Sequence, residues 1–177
     1  TPNFPGVAGK GSLVFNGMAQ SNSNWLARQN SVARMAFATL YGISEDQLVT
    51  SFDGASLFWR TNQQSPAWWH QDQNTSKPHQ QSYQAILCLS SRGCWDAGFD
   101  LVPGSHKSYI NPDPPKKGDW LLVPKGDPIC KSGIRLGMEE NSLVVFDSRL
   151  VHANSGMLKN HPNKEAHINR LAYYTTF

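Results

Sequence analysis

The chain has 177 residues, of which 39% are hydrophobic and 16% charged, and its formal net charge is +3. This composition suits a folded chain with a substantial core and excludes an intrinsically disordered chain or a solenoid of charged helices. The basic residues are scattered, which argues against nucleic-acid binding, and no apolar run approaches the roughly 20 residues of a bilayer-spanning helix. We therefore expect residues 1–177 to form a single domain without a membrane span.

The N-terminal quarter, residues 1–47, is predicted to be a helical support. After an irregular N-terminal segment, apolar residues recur at three- and four-residue steps over 25–40, which predicts one amphipathic helix. Ser23 or Asn24 would be its N-cap, and Gly42 is a plausible stop. A capping-box pattern that begins at Ser44 predicts a short second helix.

From residue 48 onward, the pattern changes to short segments rich in β-branched and aromatic residues, which Gly and Pro separate. In chain order these predicted strands are LVTSF, SLFWR, SYQAILCL, FDLVPGS, DWLLVP, SLVVFDSRLVH and RLAYYTTF. Helices followed by many short strands favour an antiparallel sandwich or barrel over 48–177, with a helical layer on one side. Residues 108–135 form a long connection rich in Pro, Gly and Lys, which predicts a lid or an insertion.

The segment AWWHQDQN places a histidine and an aspartate two positions apart. Alternate side chains of a strand point the same way, so His70 and Asp72 would emerge on one face beside Trp68, while Gln71 and Gln73 face away. The pair could be a metal-binding or catalytic couple. Alternatively, His70 could be a hydrogen-bonded polar residue at a strand end.

A third candidate ligand ends the predicted strand SLVVFDSRLVHAN. Alternate residues from Val144 to Leu150 share one apolar face, which His152 closes. Alone, this histidine could equally lie at a rim and bond to solvent. With His70 and Asp72 it completes two imidazoles and one carboxylate, the facial triad that holds Fe(II) and leaves further coordination positions open. Such a set could be built across a barrel mouth, with two ligands from one strand and the third from a distant strand.

Six motifs follow one another between about Leu48 and Tyr174: LVTSFDG, WWHQDQ, SYQAILCLSS, LVPGSHK, NSLVVFDSRLVHAN and NRLAYY. In these motifs the chain resembles the phytanoyl-CoA dioxygenase-like branch of the Fe(II)/2-oxoglutarate-dependent oxygenases. The resemblance implies a mainly β fold, the double-stranded β-helix or cupin-like jelly roll, with N-terminal helices packed on one sheet. It also implies Fe(II), 2-oxoglutarate as co-substrate, and His70, Asp72 and His152 as the catalytic iron ligands.

By the same resemblance, Arg170 binds the distal carboxylate of 2-oxoglutarate, because a guanidinium stays charged and can bond both oxygens. Some relatives have a hydroxyl residue two positions later, where this chain has Ala172, so a second contact must come from elsewhere. The alternative is a surface arginine on a C-terminal strand. Gln84 matches a polar position near the co-substrate, and Arg60 and Asn62 are weaker candidates for the same pocket.

The neighbouring residues of these motifs are assigned supporting roles. His106 follows a tight turn that shapes the rim of the site and is not expected to bind the metal. Arg149 lies on the opposite face of the predicted strand from His152 and is expected to support the fold or the rim. Trp68 and Trp69 are expected in the core more than as a substrate platform. The histidines interpreted as surface residues are His79, His161 and His167.

Three cysteines, Cys88, Cys94 and Cys130, lack the C-x-x-C spacing of a zinc site. We interpret them as free thiols in a reducing compartment such as the cytoplasm, with Cys88 in the core. Because the numbering begins at Thr1 and not at Met, a removed targeting segment is allowed for.

The function implied by the resemblance is hydroxylation of an unactivated C–H bond of a small molecule, with dioxygen as oxidant. The intact carboxylate of Asp72 favours hydroxylation, because halogenating relatives have a small residue there. Two alternatives stay open: a non-catalytic jelly-roll binding module, and a cupin-like metal enzyme that does not use 2-oxoglutarate and needs no Arg170. The lysines within 108–135 raise the hypothesis of an anionic substrate.

Overall fold

The computed structural model describes residues 12–13, 17–59, 67–77, 79–80, 82–91, 95–113, 118–162 and 168–177. The helices are α1 (Asn22–Arg28), α2 (Ser31–Tyr41) and α3 (Ser105–Ser108). The strands are β1 (Ser12–Leu13), β2 (Ala55–Trp59), β3 (His70–Gln71), β4 (Tyr83–Ser90), β5 (Gly98–Leu101), β6 (Leu121–Leu122), β7 (Ile134–Leu136), β8 (Ser142–Asp147), β9 (His152–Ser155) and β10 (Ile168–Thr176).

These strands form two antiparallel five-stranded sheets in the described part of the chain. The first sheet has the order β1-β2-β10-β4-β8 and the second the order β6-β3-β9-β5-β7. The last strand, β10, lies between β2 and β4, so the chain ends in the middle of the sheet in which its β region begins. This interleaving is the double-stranded β-helix, and the predicted fold class is confirmed.

The main core lies between the two sheets. Strands of the first sheet contribute Ile86, Cys88 and Ala172, and β5 of the second sheet contributes Phe99, all of them buried. Inward residues alternate along β4 and β10, as expected for strands with one face against a core. The predicted core position of Cys88 is confirmed.

The N-terminal helices pack on the first sheet, as predicted. Phe37 of α2 is fully buried, and its ring centroid lies 4.9 Å from that of Phe177. The Tyr41 hydroxyl donates to the Phe177 carbonyl oxygen at 2.9 Å and accepts from the Tyr83 amide at 3.0 Å. The longest described helix, α2, has eleven residues, so no described helix could cross a membrane.

The prediction of one long helix and of its N-cap was wrong. The Asn30 side chain accepts a hydrogen bond from the Ala33 amide and begins a second helix, which separates α1 from α2. Ser21 caps α1, accepting from the Asn24 amide, in place of the predicted Ser23 or Asn24. The stop at Gly42 is confirmed by its left-handed φ of 66°. The predicted second helix is a single 3₁₀ turn, in which Gln47 accepts from the Ser44 amide.

Two strand predictions also differ from the structure. LVTSF forms no strand, because it makes an isolated bond from the Ser51 amide to the Thr176 carbonyl and no ladder. SLVVFDSRLVH is two strands, since a turn after Asp147 carries the chain from the first sheet to the second. The inward face drawn from Val144 to His152 is therefore not the face of one strand.

The predicted lid, residues 108–135, contributes to both edges of the second sheet. Leu121 and Leu122 form β6 and pair with β3, and β7 begins at Ile134 and pairs with β5. The segment therefore crosses from one edge of the sheet to the other. If part of this segment moves as a lid, that part lies between β6 and β7.

Hydrogen exchange can test the lid prediction on the described parts of this segment, 108–113 and 118–133. We expect these amides to exchange quickly in the metal-free protein, apart from the paired residues of β6 and the neighbouring Val123, which is buried in a core cluster. The reason is that the segment is a long connection rich in Gly and Pro. Addition of iron and 2-oxoglutarate should slow their exchange, since closing a site excludes water. Uniformly slow exchange before any addition would show that the segment is structural and not a lid.

Candidate metal centre

The two candidate histidines lie side by side on neighbouring strands. His70 of β3 and His152 of β9 are direct partners in the antiparallel register, and their ring centroids are 4.2 Å apart. Directly opposite residues of such a pair project from the same face of the sheet. The third ligand does come from a strand distant in the sequence, and the fold makes that strand, β9, the hydrogen-bonded neighbour of β3.

Asp72 reaches the same point from just beyond the end of β3. Its amide donates to the Ser148 carbonyl oxygen at 3.0 Å, which fixes the chain at the turn before β9. The carboxylate oxygens lie 3.6 Å from Nε2 of His70 and 3.4 Å from Nε2 of His152. One ligand atom from each residue lies within 4.8 Å of the other two, so the three could hold a metal ion.

The distances fit a metal at the common point of these atoms. Metal–ligand bonds of about 2.1 Å at right angles place two ligand atoms about 3 Å apart, and the present distances are slightly longer. The ligand set of two imidazoles and one carboxylate suits Fe(II) and leaves coordination positions for other molecules. The residues present therefore fit the metal that the sequence predicts.

Both imidazoles are oriented for metal binding by the backbone. Nδ1 of His70 lies 2.9 Å from the Trp68 carbonyl oxygen, and Nδ1 of His152 lies 2.9 Å from the Leu150 carbonyl oxygen. A carbonyl oxygen can only accept, so each Nδ1 carries a hydrogen and each ring turns Nε2 to the site, where this atom binds a metal once it has lost its proton. The Trp68 indole stacks on His70 with 4.2 Å between centroids and further restricts that ring.

The candidate carboxylate ligand is ionised. Burial raises the pKa of Asp72, but the hydrogen bond and charge of His152, the charge of His70 and a hydrogen bond from Gln84 lower it more strongly. The pKa of Asp72 is about 2 as a result. An ionised carboxylate with 24% of its side chain exposed is ready to bind a cation.

Buried polar residues on the opposite side of β3 hold this geometry. Nε2 of Gln71 donates to the Arg149 carbonyl oxygen at 2.7 Å, and the Ser148 hydroxyl donates to Oε1 of Gln73 at 2.8 Å. Ser105, from the PGSHK motif, accepts from the Val151 amide at 2.9 Å, directly before His152. The sequence indicated only that the glutamines face away; their role in positioning the turn was missed.

A cavity of about 660 Å³ adjoins the three residues. Its inner wall includes Gln84, Phe146, Asn154 and Tyr174, and Trp68 also lines it. Trp68 is therefore a wall of the cavity, contrary to the expectation of a core residue. Trp69 does pack in a core cluster, as expected, against Val102, Val123 and Val151.

Gln84 and Asn154 line this cavity, and each has a buried side-chain oxygen. The Gln84 side chain is hydrogen-bonded to Asp72, which leaves its Oε1 without a partner among the described residues. Oδ1 of Asn154, two residues after His152 on β9, also has no such partner. Unsatisfied buried polar atoms are uncommon and indicate either a ligand or ordered water.

Arg170 is fully buried, so the alternative of a surface arginine was wrong. Its Nη1 donates to the Gly98 carbonyl oxygen at 2.9 Å, and its Nε and Nη2 have no partner among the described residues. Burial lowers the pKa of Arg170 from its usual value, while the guanidinium stays charged at neutral pH. Arg170 is not among the cavity-lining residues, whereas Tyr174, which shares its face of β10, is.

Of the other predicted positions, one was wrong. His161 is buried, and its Nε2 lies 2.8 Å from the buried carboxylate of Asp96, although it was interpreted as a surface residue. His79 is exposed, as expected. Arg149 forms an ion pair with Asp147 at the turn before β9 and so supports the fold. Four candidates lie outside the described residues: Arg60, Asn62, Cys94 and His167.

Removal of either candidate histidine ligand should abolish tight metal binding. We expect the anaerobic protein to bind one Fe(II) per chain, and His70→Ala or His152→Ala to weaken binding at least about 100-fold, since even residues that only orient a ligand contribute 10- to 100-fold. Anaerobic calorimetry would measure this. His79→Ala is the matched control and should bind like the parent. Unchanged affinity in both ligand variants would refute the assignment.

Comparison with known proteins supports the fold. No protein-family model and no curated protein matches this chain. Among solved structures, EvdO2 from Micromonospora carbonacea var. aurantiaca is similar with a TM-score of 0.60 and 17% identity, over 94% of this chain and 65% of that one. EvdMO1 is similar with a TM-score of 0.61 and 20% identity, over 90% of this chain and 34% of that one.

A second structure of EvdO2, in complex with 2-oxoglutarate, is similar with a TM-score of 0.57 and 16% identity, over 88% of this chain and 63% of that one. The chain thus spans less than two thirds of the length of each of these neighbours. At these identities the likeness concerns the fold, which places this chain among proteins with the same double-stranded β-helix.

Proposed function

We propose that the protein is an Fe(II)- and 2-oxoglutarate-dependent dioxygenase that hydroxylates an unactivated C–H bond of a small molecule. The observation that carries this proposal is the convergence of His70, Asp72 and His152 beside a cavity in a jelly roll that also buries Arg170. The complex of the structural neighbour EvdO2 with 2-oxoglutarate supports it. We also propose the phytanoyl-CoA dioxygenase-like branch, on the order of the six sequence motifs.

The three ligands would leave one side of the metal open to the cavity. When bound, Fe(II) would supply the activation of dioxygen coupled to oxidative decarboxylation of 2-oxoglutarate. The protein contributes orientation and shielding. The backbone carbonyls of Trp68 and Leu150 hold the two imidazoles, and Phe99 and Phe146 each lie against His152 with centroids 5.3 and 4.8 Å away. These apolar rings limit the access of water to the reacting atoms.

Arg170 would bind the distal carboxylate of the co-substrate. Two of its nitrogens have no partner in the described part of the chain, and burying a charged donor without a partner is costly. An anion that accepts from Nε and Nη2 would remove that cost, and a carboxylate matches the planar arrangement of these donors. Replacement of Arg170 by an apolar side chain would therefore affect ligand binding more than metal binding.

Tyr174 is our candidate for the second carboxylate contact, which Ala172 cannot make. Its hydroxyl is buried without a partner among the described residues, and the residue lines the cavity on the same face of β10 as Arg170. Burial lowers the pKa of Arg170, and Tyr174 has the largest of the opposing effects that raise this pKa, so the two groups interact electrostatically. Gln84, bonded to Asp72 and lining the cavity, is proposed as a further co-substrate contact.

Two other functions fit a jelly-roll cavity less well. A binding module that has lost turnover would not need an intact set of metal ligands. A cupin-like enzyme without 2-oxoglutarate would not need a buried arginine whose donors have no partner among the residues that the structure describes. Both features are present together in this chain.

Arg170→Leu should selectively weaken 2-oxoglutarate binding. Loss of one partner of a desolvated charged pair costs about 2–5 kcal/mol, or roughly 30- to several-thousand-fold in affinity, and Fe(II) binding should survive. Arg170→Lys should recover part of the loss, because an ammonium lacks the planar fork. Tyr174→Phe should cost roughly 10- to 150-fold, as expected for a hydrogen bond to a charged group.

The measurement is a 2-oxoglutarate titration of the Fe(II) protein under nitrogen, which follows the charge-transfer band between metal and co-substrate. Arg34→Leu, an exposed arginine paired with Glu45, is the control and should leave the affinity unchanged. Full affinity in Arg170→Leu would move the carboxylate role to another cation. Failure of the parent to bind 2-oxoglutarate would refute the proposed function.

Turnover can be tested without knowledge of the substrate. Incubation of a metabolite extract with the protein, Fe(II), 2-oxoglutarate and ¹⁸O₂ should give a product that has gained one labelled oxygen, together with succinate. A labelled product without succinate would favour the cupin-like alternative. Binding of 2-oxoglutarate without any product from broad extracts would favour the binding module.

A further inference from the structure

The cavity opens between two pairs of residues, each made of one aromatic side chain and one aspartate. Phe52 and Asp53 stand just before β2 of the first sheet, and Asp119 and Trp120 stand just before β6 of the second. Phe52 is 62% exposed and Trp120 is 48% exposed, so both lie where the cavity meets solvent. We call these four residues the acidic rim.

The charge of the cavity wall is opposite to that of the chain. The chain carries a net charge of +3, yet the charged cavity-lining residues among those described, apart from the two histidine ligands, are Asp53, Asp72 and Asp119. No described lysine or arginine lines the cavity. A ligand that enters it therefore meets carboxylates first.

Two cations lie near the rim without lining the cavity. Nζ of Lys77 is 2.6 Å from Oδ1 of Asp119, and Nη2 of Arg28 donates to the backbone carbonyl of Asp53 at 2.9 Å. Arg28 also lies over the Phe52 ring, 5.6 Å from its centroid. These contacts reduce the field of the two rim carboxylates and hold them in place, but the carboxylates line the cavity and the two cations do not.

An independent observation inside the same cavity points to a ligand that forms hydrogen bonds. Asn154 is only 6% exposed, and its Oδ1 has no partner among the described residues. The residue lines the cavity, so its side-chain amide can bond to a molecule inside it. The rim carboxylates can only accept hydrogen bonds.

The aromatic members of the wall suit a positive group. Trp68 and Trp120 lie 6.1 Å apart between centroids, and Trp120 lies 5.8 Å from His70, so these rings extend from the rim to the candidate metal ligands. A cation over an aromatic face gains about 0.5–2 kcal/mol, most of all on Trp. Carboxylates beside such aromatic faces also attract a cation, so the two effects add.

We propose that the cavity accepts a small organic cation, a protonated amine, whose charge lies at the acidic rim while its carbon skeleton extends toward the metal centre. That this amine is the molecule hydroxylated rests on the proposed function. With the proposed cofactors bound, the metal dication and Arg170 offset Asp72 and the 2-oxoglutarate dianion, which leaves Asp53 and Asp119 to determine the charge that a substrate meets.

This inference opposes the hypothesis of an anionic substrate, which rested on the lysines of 108–135. Lys125 and Lys131 are exposed and do not line the cavity, and Lys116 and Lys117 lie outside the described residues. Of the residues that the structure describes in this segment, Asp119 and Trp120 line the cavity.

Three probes of one shape and different charge can test the inference: 3,3-dimethylbutylamine, 3,3-dimethylbutan-1-ol and 3,3-dimethylbutanoate. Their affinities would be measured by ligand-observed NMR with the metal-free protein in the presence of a chelator, so that the amine cannot bind a metal. We expect the amine to bind about tenfold more tightly than the alcohol, and the carboxylate most weakly. Sorbitol would serve as a neutral polyol.

The variants assign any selectivity to the rim. In Asp53→Asn/Asp119→Asn the preference for the amine should fall below about threefold, and each single substitution should lower it about two- to fivefold, as expected for partly exposed charges. Asp113→Asn removes an exposed carboxylate outside the cavity and should keep the preference. The single variants provide the test if the double variant does not fold.

Two results would overturn the inference: equal or tighter binding of the alcohol or sorbitol by the parent, or an unchanged preference for the amine in the rim variants. The outcome is separable from that of the proposed function, because it needs neither iron nor 2-oxoglutarate. Amine selectivity without 2-oxoglutarate binding would leave a cation-binding cavity and refute the oxygenase. 2-Oxoglutarate binding without amine selectivity would refute the cation-binding cavity and leave the proposed oxygenase standing.

Discussion

The antiparallel pairing of β3 with β9 is the constraint on which the rest of the site depends. β3 has only two residues, yet it is paired with β6 on one side and with β9 on the other. The register places His70 directly opposite His152, and a slip of one residue would turn one imidazole to the other face of the sheet. Much of the buried polar structure nearby, from Gln71 and Gln73 to Ser105, holds the chain at the turn before β9.

The cavity combines two environments that destabilise the folded protein to different extents. Near its inner end the protein buries polar atoms without partners among the described residues, including the hydroxyl of Tyr174, which lines the cavity, and two nitrogens of Arg170, which does not. Each such group costs about 1–3 kcal/mol of stability, which a bound anion would recover. At its outer end the rim carboxylates are partly exposed, and so solvent screens them and their cost is small. Affinity would therefore come from the inner end, and discrimination by charge from the rim.

The segment 108–135 links the fold to this discrimination. Its strand β6 pairs with β3, and the two residues before β6 are Asp119 and Trp120. A change in the length of this segment could alter the rim without disturbing the ladder between β3 and β9. Neighbouring chains with the same fold could thus keep the candidate metal ligands and differ in the small molecules that they accept.

Part of this structure could be predicted from the sequence alone because it depends on local interactions. The stop at Gly42, the turn at Ser44, the shared face of His70 and Trp68, and the alternation along β4 and β10 each depend on residues close together in the chain. The order of the motifs, from WWHQDQ to NRLAYY, carried the prediction of the jelly roll and of the candidate ligands.

Only the tertiary structure decided which strands are neighbours, since a period of two does not specify a partner. It assigned β8 and β9 to different sheets, placed His152 beside His70, and still brought Phe146 within 4.8 Å of His152, because the two sheets face each other. It buried His161 against Asp96 in a segment whose composition is that of a surface loop. Long-range packing also brought Asp53 and Asp119, 66 positions apart in the sequence, to one cavity, and no local pattern of residues encodes such a meeting.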